Sequence, residues 1–332
     1  MPGAAVQQIV DRRPETPAVP LAAGTRPHVG RLFLSFAAIY LIWGSTFLAI
    51  RFAVATIPPL LMMGGRSAGA GAILYLSSRL SGAPKPRPRQ WVDSFLIGSL
   101  LFLVCHGVLA WAEQRVASGP ASLMSATIPL WMVVLDWVAG TGPRPRAGVV
   151  AGLMVGFTGV GLLVLPGGGA GGIDPATGGI MLLGSVSWVA GSLYSRRARL
   201  PGSLPMATGM QLLAGGILLF AASLAFGEWH RVTLAAISVR SAFSLAYLIV
   251  FGSVVAFTAY NWLLRETTPA RLSTYSYVNP LVAVLIGWAF GGEPLGWRTL
   301  VPTAVIITGV GLTLTAKTRH VPISDFRSQI AD

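Results

Sequence analysis

The chain says nearly the same thing twice. Trp43 and Arg51, eight residues apart in one apolar segment, return 145 residues later as Trp188 and Arg196. The same offset carries Gly64, Arg66 and Gly71 onto Gly209, Gln211 and Gly216. Trp111, Ser122 and Pro129 recur at an offset of 151 as Trp262, Ser273 and Pro280, and Gly159-Val160-Gly161-Leu162 recurs at 150 as Gly309-Val310-Gly311-Leu312. Offsets this constant, kept in order, define two homologous halves over 33–165 and 177–316. A duplicated apolar unit of this size points to the inverted-repeat architecture of membrane carriers.

Composition agrees. Hydrophobic residues make up 53% and charged residues 11% of the chain, against about 25% charged in ordinary soluble domains. The net charge of +13 does not mark a nucleic-acid binder, because the basic residues lie in short segments between long apolar runs. The lone Cys105 allows no disulfide framework. His28, His106, His230 and His320 are scattered, so no metal site is expected, no cofactor and no enzymatic centre.

A bilayer core takes about 20 mostly apolar residues per helix. Ten runs meet that need, near 33–55, 60–80, 93–112, 120–139, 147–165, 177–195, 205–226, 242–264, 271–290 and 297–316, with Arg66 interrupting the second. The predicted fold is all-α: ten transmembrane helices in two five-helix repeats. With the N-terminus in the cytoplasm, eighteen Lys and Arg residues fall on the inner side and four on the outer: Arg115, Arg231, Arg240 and Arg298. That bias places both termini inside. Five spans per half is an odd number, so the second half runs inverted. Residues 1–32 and 317–332 are expected to be cytoplasmic tails, the first disordered and not a cleaved leader. The Gly-rich stretch 166–176 links the repeats; it lacks the Lys-Ser/Thr of a phosphate loop.

Several stretches carry a resemblance. Ile42-Trp43-Gly44-Ser45-Thr46-Phe47 with Arg51 resembles the first-helix signature of the drug/metabolite transporter superfamily, in its EamA-type branch. Arg66, Gln114–Gly119, Ala126-Thr127-Ile128-Pro129-Leu130, Asn279-Pro280-Leu281 and Gly292-Glu293-Pro294-Leu295 are similar to its later landmarks. The resemblance spans about 33–316. It implies a five-plus-five helical basket around a central cavity, in a bacterial inner membrane, exporting amino acids or similar small amphipathic metabolites by alternating access. Related branches carry drugs and nucleotide sugars. One departure stands out: the first half reads Gly142-Pro143 where the second reads Glu293-Pro294.

Charged groups inside a membrane are costly, which makes them candidates for function. Arg51, Arg66 and Glu113 are expected to form a polar layer below the outer mouth, gating it or meeting a substrate carboxylate, against the alternative that Arg51 and Glu113 are merely interfacial. His106 shares a helix face with Glu113 and reads as a proton relay or a packing histidine. Pro129 and Pro280, at matching positions, are expected to bend helices around the substrate path. Trp43, Trp131 and Trp188, with Tyr260, Tyr275 and Tyr277, are candidates for an aromatic cavity wall. Gly148, Gly152 and Gly156 form a small-residue stripe for close helix contact, within a monomer or in a homodimer. The expected partners are a small-molecule substrate and lipid, with no nucleic acid.

Overall fold

The structure, a computed structural model, describes residues 29–140, 145–164, 173–267, 272 and 275–315. The Gly-rich run at 167–172 and nearly all of both expected tails fall outside the described residues.

The described chain is helical throughout. Its long elements are α1 (Gly30–Val54), α2 (Pro59–Leu80), α3 (Pro88–Ala112), α4 (Ser118–Val138), α5 (Ala147–Val164), α6 (Pro175–Ser195), α7 (Leu204–Ala225), α8 (Val239–Glu266), α9 (Tyr275–Gly291) and α10 (Trp297–Thr315). Six of them, α1, α3, α4, α6, α7 and α8, are long and apolar enough to cross a membrane. Apolar stretches in α5, α9 and α10 are shorter, and α2 spans 22 residues with Arg66 about two turns from its start. Helix α1 starts slightly earlier than residue 33. Its first turn is held where the Arg31 guanidinium lies 4.5 Å from the centre of the Trp262 ring.

The repeats show in how the helices pack. Helix α2 lies along α7, its own repeat mate. A methyl group on Gly64 would strike Phe220, one on Gly71 would sit 2.6 Å from the Leu213 nitrogen, and one on Gly209 would sit 2.7 Å from that of Tyr75. As numbers rise along α2 they fall along α7, so the two run antiparallel with glycines at the crossing. Helices α5 and α10 do the same through Gly152 against Thr313 and Gly156 against Gly309. With no hydrophobic gain available between helices in lipid, close backbone approach supplies the contact energy. Gly152 and Gly156 of the α5 stripe are therefore packed within the chain, while Gly148 is exposed.

Three helices depart from α geometry where they pass the centre. Wide π turns occur at Ala38–Ile42 in α1, Ser99–His106 in α3 and Leu248–Val255 in α8. Those in α3 and α8 fall at repeat-related positions, and such turns favour functional regions. Helix α4 breaks after Ser125 and restarts at Ile128, which puts Pro129 in a first turn where its missing N–H costs nothing. Pro280, by contrast, sits inside α9. Beside it the Asn279 amide, turned so that its nitrogen faces acceptors, donates to the carbonyls of Ile39 and Tyr40. That joins α9 to the widened turn of α1.

Candidate functional site

A cavity of about 70 Å³ lies at the centre, lined from six helices by Trp43, Arg66, His106, Ser122, Trp188 and Pro280 among others. Its wall is aromatic. Trp43 meets Trp188 edge-on at 5.8 Å, Tyr260 at 5.0 Å and Tyr275 edge-on at 5.4 Å, while His106 stacks on Trp188 at 5.4 Å. The Trp43 indole N–H donates to the Gly252 carbonyl at 3.1 Å, which fixes that ring. His106 Nδ1 has no hydrogen-bond partner. At this volume the cavity holds a few waters.

Arg66 is 3% exposed and lines the cavity. Its Nε donates to the Ser253 hydroxyl at 2.9 Å, and Nη1 lies 3.8 Å from the Met63 sulfur. Among the described residues no carboxylate stands within ion-pair distance of it. A Cβ on Gly252 would sit 3.2 Å from Nη2, so that glycine leaves the guanidinium its room. The repeat mate, Gln211, is also buried, and its Oε1 has no partner.

The end of the bundle that carries the α1–α2 and α9–α10 turns is fastened by Glu293. Glu293, in the α9–α10 turn, forms an ion pair with Arg51 near the end of α1. The same carboxylate accepts from the Ser118 N–H at 2.8 Å, the Ser118 hydroxyl at 2.7 Å and the Gly119 N–H at 3.1 Å. It thus caps the N-terminus of α4, where free N–H groups and the helix dipole favour an anion. Gly292 makes the turn possible, since its φ of +63° belongs to the left-handed region. Burial of the Glu293 carboxyl opposes ionisation, but Ser118, Gly119 and Arg51 together hold it below the usual carboxylate value of 4.5. A second carboxylate does similar work nearby. Glu228 accepts from Leu60 N–H at 3.2 Å and Leu61 N–H at 2.8 Å, at the start of α2, and from the Ser223 hydroxyl at 3.0 Å.

The opposite end is fastened by Asp93, which accepts from the Tyr194 hydroxyl and the Arg199 N–H, both at 2.7 Å. Between it and the aromatic wall a small void of about 10 Å³ reaches Arg196, the repeat mate of Arg51. Arg196 is exposed, and at the position equivalent to Glu293 the first half carries Gly142, which has no side chain to offer.

Of the residues expected from sequence, Trp43, Arg66, His106, Trp188 and Pro280 come together around the cavity, and Tyr260 packs behind its wall against Trp43 and Trp188. Arg51 and Glu113 lie at the end fastened by Glu293, Glu113 being buried. Pro129 and Trp131 stand outside the cavity wall: the break in α4 turns Ile128 inward, and Trp131 packs edge-on against Phe157 at 5.1 Å. The Tyr277 side chain lies outside the described residues. Glu228, Asp93 and Ser253 were invisible in the sequence, since their partners lie on other helices. Glu293 stood out only as a departure between repeats.

Helices of membrane length, packed as antiparallel repeat mates around a central polar-aromatic cavity with fastened ends, define a membrane transporter of small molecules. The EamA-like transporter family matches residues 31–165 and 178–315, one match per repeat, and the chain belongs to this family within the drug/metabolite transporter superfamily. It is 38% identical over 288 residues to the uncharacterized inner membrane transporter YedA of Escherichia coli (strain K12), covering 86% of this chain and 91% of that one. It is 25% identical over 272 residues to protein PecM of Dickeya dadantii, covering 81% and 87%. A solved crystal structure, 22% identical, superposes with a TM-score of 0.62 over 88% of this chain and 99% of the other, a likeness of fold.

Proposed function

We propose that the protein is a ten-span secondary transporter of the inner membrane that exports small amphipathic carboxylates, amino acids among them, by alternating access. Both termini face the cytoplasm, so the Arg51–Glu293 end is the outer mouth and the Asp93 end the inner one. The observation that carries the substrate class is Arg66: a buried cation, without a carboxylate partner among the described residues, on the wall of a cavity that Trp43, Trp188 and Tyr275 also line. A cation there costs at least about 2.5–3.5 kcal/mol on insertion scales. A substrate carboxylate offsets that cost only while bound, and the rings take the apolar part. A phosphorylated substrate calls for several cations on one cavity, and Arg66 alone lines this one among the described residues.

Proteoliposome uptake of labelled amino acids, their decarboxylated amines, nucleosides and cationic drugs tests this reading. Carboxylates should be carried and the matched amines should not. In Arg66→Gln, which copies the repeat mate Gln211, insertion should be normal and carboxylate flux should fall at least about tenfold. Equal flux of acid and amine through the native protein would sink the substrate assignment.

A further inference from the structure

We propose that Glu113 is a proton-binding site whose charge governs the outer Arg51–Glu293 clamp, an inference that rests on the transporter reading and adds a coupling group to it. Glu113 follows the last turn of α3. It is 2% exposed, and neither carboxylate oxygen has a hydrogen-bond partner. Burying an ionised carboxylate without donors costs far more than burying the neutral acid. The carboxyl also sits at a helix C-terminus, where the dipole disfavours negative charge. In the closed arrangement the proton therefore stays on Glu113.

Its charged surroundings give that proton leverage. Glu293 from the α9–α10 turn, Arg51 from α1 and Arg66 from α2 all act on it electrostatically. On its own helix, His106 lies two turns back on the same face. Arg115, just beyond, is turned over the Trp111 ring at 5.4 Å. Glu228 is engaged with the start of α2. Arg51 is already taken by Glu293, whose oxygens are both satisfied. Glu113 is a spare acid beside a complete clamp. When its proton leaves to water at the outer mouth, the new carboxylate repels Glu293 and competes with it for Arg51. The clamp loosens, and α1, the α9–α10 turn and the start of α4 are free to separate. Reprotonation from the same water lets it close.

The carboxyl is not needed for folding. The offset that maps Trp111 onto Trp262 maps Glu113 onto Leu264, in the last turn of α8, so the second half takes an aliphatic side chain at the equivalent position.

The test uses the full-length protein in lipid nanodiscs. Infrared spectra should show a protonated-carboxyl stretch that fades as buffer pH is raised and is absent in both Glu113→Gln and Glu113→Leu. In a Cys105→Ala background, Ser122→Cys reports from the cavity just inside the clamp. Its labelling by a membrane-impermeant maleimide from the outer side should quicken at least about threefold from mildly acidic to alkaline buffer, after correction for the reagent's own pH dependence. Both Glu113 variants should flatten that response and His106→Phe should keep it. Glu113→Leu guards against a local defect peculiar to the amide. Absence of the carboxyl stretch from the native protein, its survival in the variants, or an unchanged pH response in them would overturn the proposal. Neither readout involves a transported compound, so failure of every substrate in the uptake panel would count against the transport reading alone.

Discussion

Arg51 and Glu293 stand 242 residues apart and meet in an ion pair at the end of the bundle that carries the α1–α2 and α9–α10 turns. The pair ties the first helix of one repeat to the last turn of the other. Through Ser118 and Gly119 it also holds the start of α4. The inner end has no counterpart from the same sequence positions, because Arg196 faces Gly142 in the repeat alignment. Under the proposed orientation and alternating-access cycle, this one-sided fastening favours the outward-closed state at rest.

Replacing Glu293 with Ala should therefore do two things. It removes hydrogen bonds to an ionised acceptor, each worth about 1.5–3 kcal/mol, so thermal stability in detergent should drop. It should also raise outer-side labelling of a cysteine at Ser122. Unchanged labelling with lowered stability would make the cluster a plain structural fastening.

The clamp has its own pH window. Glu293 titrates lower in the folded protein than when unfolded, so its contribution is complete above the usual carboxylate range. It is lost as pH falls through the lower, folded value. In a Glu113→Gln background, melting temperature should stay flat through neutral pH. It should fall only below about pH 4.5, and that acid drop should shrink when Glu293 is also replaced.

Glycine at the α2–α7 crossing is a packing requirement. Gly216→Ala puts a Cβ 2.6 Å from the Ala68 nitrogen, which is backbone and cannot swing away. A loss of about 1–3 kcal/mol is expected from such overpacking, read as a lower melting temperature. Gly65→Ala, where the nearest atom is 4.0 Å away, is the tolerated control on the partner helix α2.

His106 separates shape from polarity at the cavity wall. His106→Phe keeps a ring against Trp188 and removes the unpartnered nitrogen. If that nitrogen binds substrate, apparent affinity should weaken about two- to twelvefold, the worth of one hydrogen bond, with stability unchanged. Loss of stability with intact affinity would identify His106 as packing.

Read as a string, the chain determines its helices, its duplication and which charges are out of place. Those follow from local physics: apolar length sets what lies in lipid, and a repeated spacing at a constant offset survives without coordinates. Arg66 was marked this way because a cation in an apolar run is conspicuous wherever the run ends up. Trp43 and Trp188 were marked by recurring. The tertiary structure decided which of those residues face one another. It turned Trp131 onto Phe157 and away from the cavity, because the backbone of α4 breaks between Ser125 and Ile128. It made Glu293 a clamp and Glu228 a cap, since a carboxylate reads the same in sequence whether it meets water or the start of a helix from the other repeat. It left Glu113 buried without a donor, which no spacing reveals. Hydrophobicity is a property of each segment, whereas the satisfaction of a buried polar group depends on its neighbours in space.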